Sequence, residues 1–267
     1  MKSKAAAAPY LIWAAIFIIV PLFIVGYFAF TTPDGGFTFA YISQVLDYLP
    51  VFWDSILLGA VATVICLIIG FPLAFIISRK RKKQQQTLIL LAMLPMWMNF
   101  LLRTYAWMTL LEDTGLINRF LESLGFGRIH MINTQGAVIL GMVYNFLPYM
   151  ILPIYSVMTK IGKSLIEAAQ DLGGNQLNVF LRVILPLSVP GIISGVTMVF
   201  VPAVSTFIIS QKLGGGKTLL IGDLVEMQFT QAYNPNLGAA ISLVLMIMIF
   251  ICMGLMNRFA GDDAAVM

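Results

Sequence analysis

The chain has 267 residues, 60% hydrophobic and 10% charged, where an average soluble domain has about 45–50% apolar and about 25% charged residues. That balance excludes a water-soluble globular domain and makes this a membrane protein. The net charge is +4, and the two cysteines, Cys66 and Cys252, each sit inside an apolar run, which suits packing better than a disulfide or metal pair.

Six intervals, 5–33, 55–78, 84–102, 129–159, 183–211 and 227–257, contain no Asp, Glu, Lys or Arg. Each is near or above the ~20 residues that cross a hydrocarbon core of about 30 Å, so six transmembrane helices are expected. The first, Tyr10 to Phe30 behind Lys2 and Lys4, also has the outline of a signal peptide. Against that reading, it exceeds the usual apolar region of about 7–15 residues and lacks a clear small-residue cleavage site. With the N-terminus inside, eleven of the sixteen Lys and Arg residues fall on inner segments, which places both termini in the cytoplasm. The run Arg79 to Lys83 reads as a topology anchor at anionic lipid headgroups, ahead of nucleic-acid binding.

After the first span, Pro33-Asp34-Gly35-Gly36 signals a turn in the loop 31–54. The second span carries Pro72 and the small residues Gly59, Ala60, Ala62 and Gly70, which permit close helix approach. At the end of the third, Arg103 is expected to snorkel to the outer interface while Tyr105 and Trp107 sit in the aromatic belt. His130 stands alone in an outer loop with no second ligand candidate, so no metal site is expected. The fourth span contains Tyr144, Asn145, Pro148, Tyr149 and Pro153. Two prolines each remove an internal hydrogen bond, and loosened backbone in a membrane persists only against protein or a water-filled cavity. Packing and a translocation path are both consistent with that composition.

The longest polar break follows, Lys160 to Pro190. Ser164-Leu165-Ile166-Glu167 has the spacing of a capping box, Gly173-Gly174 that of a helix C-cap and turn, and Leu177, Phe180, Leu181 and Ile184 form a second apolar stripe closed by Pro186. The outline is a helical elbow between two spans. A DNA-binding helix-turn-helix has a similar outline, but here only Arg182 is basic after the turn and long apolar runs flank both sides. Glu167-Ala168-Ala169, Gly173 six residues after the Glu, and Val183-x-Leu185-Pro186 resemble the EAA loop of ABC importer permeases, with Val183 where Ile is usual. The resemblance implies a coupling elbow at 160–186 that sits in a groove of a cytoplasmic ATPase.

Gly216-Lys217-Thr218 is not a phosphate loop, because Gln211 stands where the first glycine is needed. It reads as a glycine-rich re-entrant or gate-adjacent loop, followed by Asp223 and Glu226 at a spacing that shares a helix face. A last apolar span, about Leu237 to Met256, leads to a polar tail, Asn257 to Met267, expected to fray.

The stretch with Pro95, Trp97 and Arg103-Thr104-Tyr105, with Leu116-Ile117-Asn118, Leu147-Pro148, Leu152-Pro153-Ile154-Tyr155 and Gly214 to Gly222, is similar to the PotB-type permeases of spermidine/putrescine importers. This implies an all-α integral membrane protein with six transmembrane helices in a single domain, residues 1–267 with a core of about 55–258, of the type I (MetI-like) importer fold, in a bacterial cell membrane. The implied partners are a cytoplasmic ABC ATPase in two copies, a second permease of PotC type, an extracytoplasmic polyamine-binding protein and membrane lipid, with no nucleic acid. ATP and Mg would be bound by the ATPase and no cofactor by this chain, which should not itself be an enzyme. An ion-coupled secondary transporter would be expected to show ionisable residues inside its spans, and the six intervals offer none. The substrate path would use Trp97, Tyr105, Tyr144, Asn145 and Tyr149, with Asp223 or Glu226 at the entrance. The outer segments sum to five basic and eight acidic residues and the inner to eleven and four, an asymmetry that suits a cationic solute but also follows from the orientation rule alone.

Overall fold

The computed structural model of the protein describes residues 4–260; residues 1–3 and 261–267, the end of the tail expected to fray, lie outside the described residues. The described chain is helical apart from its connections and one isolated bridge, Thr31 to Phe37. Among the described residues five helices are long and apolar enough to cross a membrane, and a sharply bent pair brings the number to six if it is taken as one span.

Helix α1 (Pro9–Phe30) is apolar on all sides, as a lipid-facing span must be. It joins the bundle only near its end, where Val25, Ala29 and Phe30 pack in a cluster with residues of the last helix, Pro235–Ala260. The expected turn follows: Thr32 N–H donates to the Gly36 carbonyl (2.8 Å) and Gly35 takes φ +83°. Helix α2 (Leu49–Ser78) starts earlier than the expected Ser55, behind a short helix Ala40–Gln44 and a 3-10 turn Val45–Tyr48. Asp54 does not interrupt it because that side chain lies on the exposed face, and Pro50 in the first turn is pre-set for helix.

The third span departs most from expectation. Helix α3 (Lys82–Trp97) has 16 residues, about 24 Å of rise, and then breaks. Asn99 Oδ1 accepts from Leu101 N–H (2.9 Å) and Leu102 N–H (3.3 Å) and starts α4 (Phe100–Leu111). The chain turns by 87° there. Arg103 is consequently turned into the protein: only 7% of it is exposed, its guanidinium lies 5.8 Å from the Phe100 ring centroid, and its Nε and Nη1 have no hydrogen-bond partner. Helix α5 (Leu116–Ser123) is locked by buried Asn118, whose Nδ2 donates to the carbonyls of Glu112 (3.1 Å) and Ile129 (3.0 Å) while its Oδ1 accepts from Ile129 N–H (2.9 Å).

Helix α6 (Gln135–Met158), capped by Thr134 Oγ1 on Ala137 N–H (3.1 Å), is the central element. Pro148 and Pro153 do not break it; they leave the carbonyls of Tyr144 and Tyr149 without their usual donors. It packs between α2 and α8 (Gln176–Ser205). Met150 shows how closely: a Cβ at Gly195 of α8 would lie 2.7 Å from its sulfur, and one at Gly70 of α2 would lie 3.0 Å from its Cγ. Small residues thus set the separation of the three helices. Between α6 and α8 lies α7 (Lys163–Asp171); after α8 come two short helices, α9 (Ile208–Gly214) and α10 (Ile221–Thr230), and the last span, α11 (Pro235–Ala260). The interval 183–211 is therefore not one straight helix, since α8 ends at Ser205 and a separate helix, α9, begins at Ile208.

Candidate functional site: the elbow and the path

The elbow is a tight helical corner between the two helices that fill the centre. Helix α7 ends in a complete Schellman motif: Gly173, at φ +84°, donates N–H to the Gln170 carbonyl (2.8 Å) and Gly174 N–H to that of Ala169 (3.0 Å). The expected capping box at Ser164 and Glu167 is absent. Helix α7 begins one residue earlier, at Lys163 behind Gly162, with no side-chain cap, so Ser164 is already inside the helix and Glu167 is left exposed. The cap that matters is on the second half, where Asn175 Oδ1 accepts from Asn178 N–H (2.8 Å). Sequence reading passed over it, although Asn directly after a Gly-Gly turn is the standing signal for an N-cap.

Pro186 does not close the second elbow helix. A π-helical turn, Phe180–Ile184, precedes it and the helix continues to Ser205; the wider turn absorbs the donor that proline lacks. Phe180 packs edge-on against Phe71 and Phe75 of α2, with centroids 5.8 and 6.2 Å away. Ala168, Leu172 and Gly173 remain exposed, Leu172 by 89%. A displacement of the elbow therefore reaches α2, α6 and α8 together.

At the opposite end, α10 is drawn in against α8 and α2. A Cβ at Gly222 would lie 2.5 Å from the carbonyl oxygens of Ser205 and Thr206, so only glycine permits that approach, and Ile221 N–H donates to Ser55 Oγ of α2 (2.8 Å). Asp223 is buried, with Oδ2 accepting from Leu220 N–H (2.8 Å) and Oδ1 unpartnered. Burial, opposed by the hydrogen bond from Leu220, pushes its carboxyl up to about 6. Glu226, one turn on, accepts from Gln211 Nε2 (3.1 Å) and Thr230 Oγ1 (2.9 Å). It borders a cavity of about 560 Å³ with Phe207, Phe229, Ser242 and Phe250, aromatic neighbours that sequence reading did not single out.

A match to the family described as "Binding-protein-dependent transport system inner membrane component" extends over residues 39–261. This chain belongs to that family. The permease is 38% identical over 246 residues to the spermidine/putrescine transport system permease protein PotB of Haemophilus influenzae, covering 88% of this chain and 86% of that protein. It is likewise 38% identical over 254 residues to PotB of Escherichia coli K12, covering 91% of each. Among solved structures, a bacterial ABC transporter involved in import of the acidic polysaccharide alginate superposes with TM-score 0.81 at 16% identity over 96% of this chain and 93% of that one. The methionine transporter MetNI superposes with TM-score 0.60 at 16% identity, over 82% and 96%. The importer-permease fold is therefore established.

Within the permease, the expected path residues fall into separate groups. Asp223 and Glu226 stand together with Gln211, as their spacing implied. Tyr144 is half-buried and packs edge-on against Trp107 at 5.3 Å. Asn145 is buried, its Nδ2 donating to the Gly141 carbonyl (2.8 Å) and its Oδ1 unpartnered. Tyr105 carries Lys212 Nζ 5.3 Å from its ring centroid. Trp97 and Tyr149 lie exposed, on α3 and α6. His130, expected to be without a neighbour, pairs through Nδ1 with Asp113 (3.0 Å). Arg103 and Asp223, which lie just outside the charge-free intervals, are both buried.

Proposed function

We propose that this permease carries a polyamine, spermidine or putrescine, across a bacterial inner membrane, driven by a cytoplasmic ATPase docked at the elbow. The observation that carries the substrate class is the 38% identity to two PotB proteins over 88% and 91% of this chain. The elbow end faces the cytoplasm, with both termini. There α7 seats on an ABC ATPase, present in two copies and holding ATP and Mg, through Glu167, Ala168, Ala169 and Gly173. Pro186 acts in this scheme at the π turn, keeping the second half of the elbow continuous with α8. A second permease of PotC type completes the path, and a polyamine-binding protein delivers solute from outside.

In the path, ammonium groups would meet the carboxylates of Asp223 and Glu226 at the entrance, then aromatic faces and neutral oxygens of Trp97, Tyr105, Tyr144, Asn145 and Tyr149. A cation over an aromatic face gains roughly 0.5–2 kcal/mol, enough to guide without trapping. Movement of the elbow would shift the balance between inward- and outward-open arrangements. Purifying the permease from its native membrane, identifying the companions by mass spectrometry and measuring ATP hydrolysis with added spermidine tests this reading. An ABC ATPase, a second permease and polyamine-stimulated hydrolysis are expected; a permease that purifies without an ATPase would overturn it.

A further inference from the structure

A cavity of about 790 Å³ separates the end of α2 from α7. Two charged side chains border it, Arg79 from the end of α2 and Glu167 from α7, and the rest of its lining is neutral, with Gln170, Gln176, Phe75 and Phe180 among it. The Arg79 guanidinium lies 5.3 Å from the Phe75 ring centroid, and its Nε and Nη2 are shielded from solvent without a hydrogen-bond acceptor. Its neighbours Lys80, Arg81, Lys82 and Lys83 are exposed. Arg79 is thus set apart from the rest of the basic run, because it borders the cavity while the others are exposed.

Guanidinium nitrogens shielded from solvent without an acceptor are costly, and hydrogen bonds to a carboxylate would satisfy them. The ion pairs among the described residues are Arg128 with Glu122 and His130 with Asp113, so Arg79 and Glu167 share a cavity while unpaired. They stand on different elements: Arg79 ends α2, whereas Glu167 is on α7, which Gly162 precedes and Gly173-Gly174 follow.

We propose that Arg79 is a positioning residue of the coupling elbow, which pairs with Glu167 across this cavity when α7 moves toward α2 and so holds one of two elbow positions. This rests on the reading of the elbow as the ATPase contact. The pair then gives that contact two stable settings, since Glu167 is free to face the ATPase in one and is held by Arg79 in the other.

The test is a double-mutant cycle on the reconstituted complex, with Arg79→Gln, Glu167→Gln, the double variant and Arg79→Lys, read as substrate-stimulated ATP hydrolysis. Each Gln variant should lower stimulation by about fivefold or more, the double should be no worse than the worse single, and Arg79→Lys should keep most of the activity. Effects that multiply in the double variant, or wild-type stimulation in Arg79→Gln, would overturn the pair. Stimulation of the wild-type complex reports separately on the importer reading, so a failure of that reading and a failure of the pair are told apart.

Discussion

Gly173 has the most demanding conformation of the elbow residues, φ +84°, and nothing within 4 Å limits the size of a side chain there. A substitution therefore acts through backbone strain alone, roughly 1–3 kcal/mol for a non-glycine residue held in that region and most severe for a β-branched one. Gly173→Val is expected to insert at wild-type levels yet lose substrate-stimulated ATP hydrolysis, and a normal hydrolysis assay would count against the elbow as the coupling element. Asp223 offers a second test. Its carboxyl is pushed up to about 6 by burial, so the folded protein binds a proton that the unfolded chain has released, and stability falls as pH rises from the ordinary carboxylate range through about 6. The melting temperature should drop over that window in the wild type and less in Asp223→Asn. Gly173 was legible in the sequence because a glycine pair after a helical stripe has one common use. The burial of Arg103 was not, because a charge at the end of an apolar run looks the same whether the chain continues straight or turns inward.

At the scale of elements, apolar runs located every span but not their ends or bends. Charge-free intervals mark where a chain tolerates lipid; they carry no signal for the Asn99 cap that splits the third span, for α2 continuing past exposed Asp54, or for the π turn that lets a helix run through Pro186. Each of these is decided by local hydrogen bonding or by which side a residue faces. That Asp223 and Glu226 share one helix was legible from spacing, whereas Gln211, which bonds Glu226, and Ser55, which bonds Ile221, come from other elements of the chain. The loop that carries α5 is held in the same way, by one side chain. Asn118→Ala removes three hydrogen bonds from a buried site and leaves its former partners unsatisfied, at about 1–3 kcal/mol for each buried group. Limited proteolysis should then cut between α5 and α6 faster than in the wild type, with the spans intact; an unchanged rate would mean that the loop is held by other contacts.

For the whole molecule, with the bent pair taken as one span, the spans run between an end that carries the elbow and an end that carries α5, α9 and α10. In the proposed orientation, which follows the positive-inside bias, the elbow end is the cytoplasmic one. In a background with Cys66 and Cys252 replaced by Ala, Ser164→Cys and Ser123→Cys should react with an impermeant thiol reagent from opposite sides of the membrane; labelling of both from outside would reverse the orientation. The central claim is uptake of a polyamine powered by the ATPase, and transport into proteoliposomes bearing the whole complex tests it most directly. Labelled spermidine should accumulate only with ATP and the binding protein present, with excess putrescine competing and a neutral sugar or an anion having no effect. Competition by the sugar or the anion, with none by polyamine, would contradict the account.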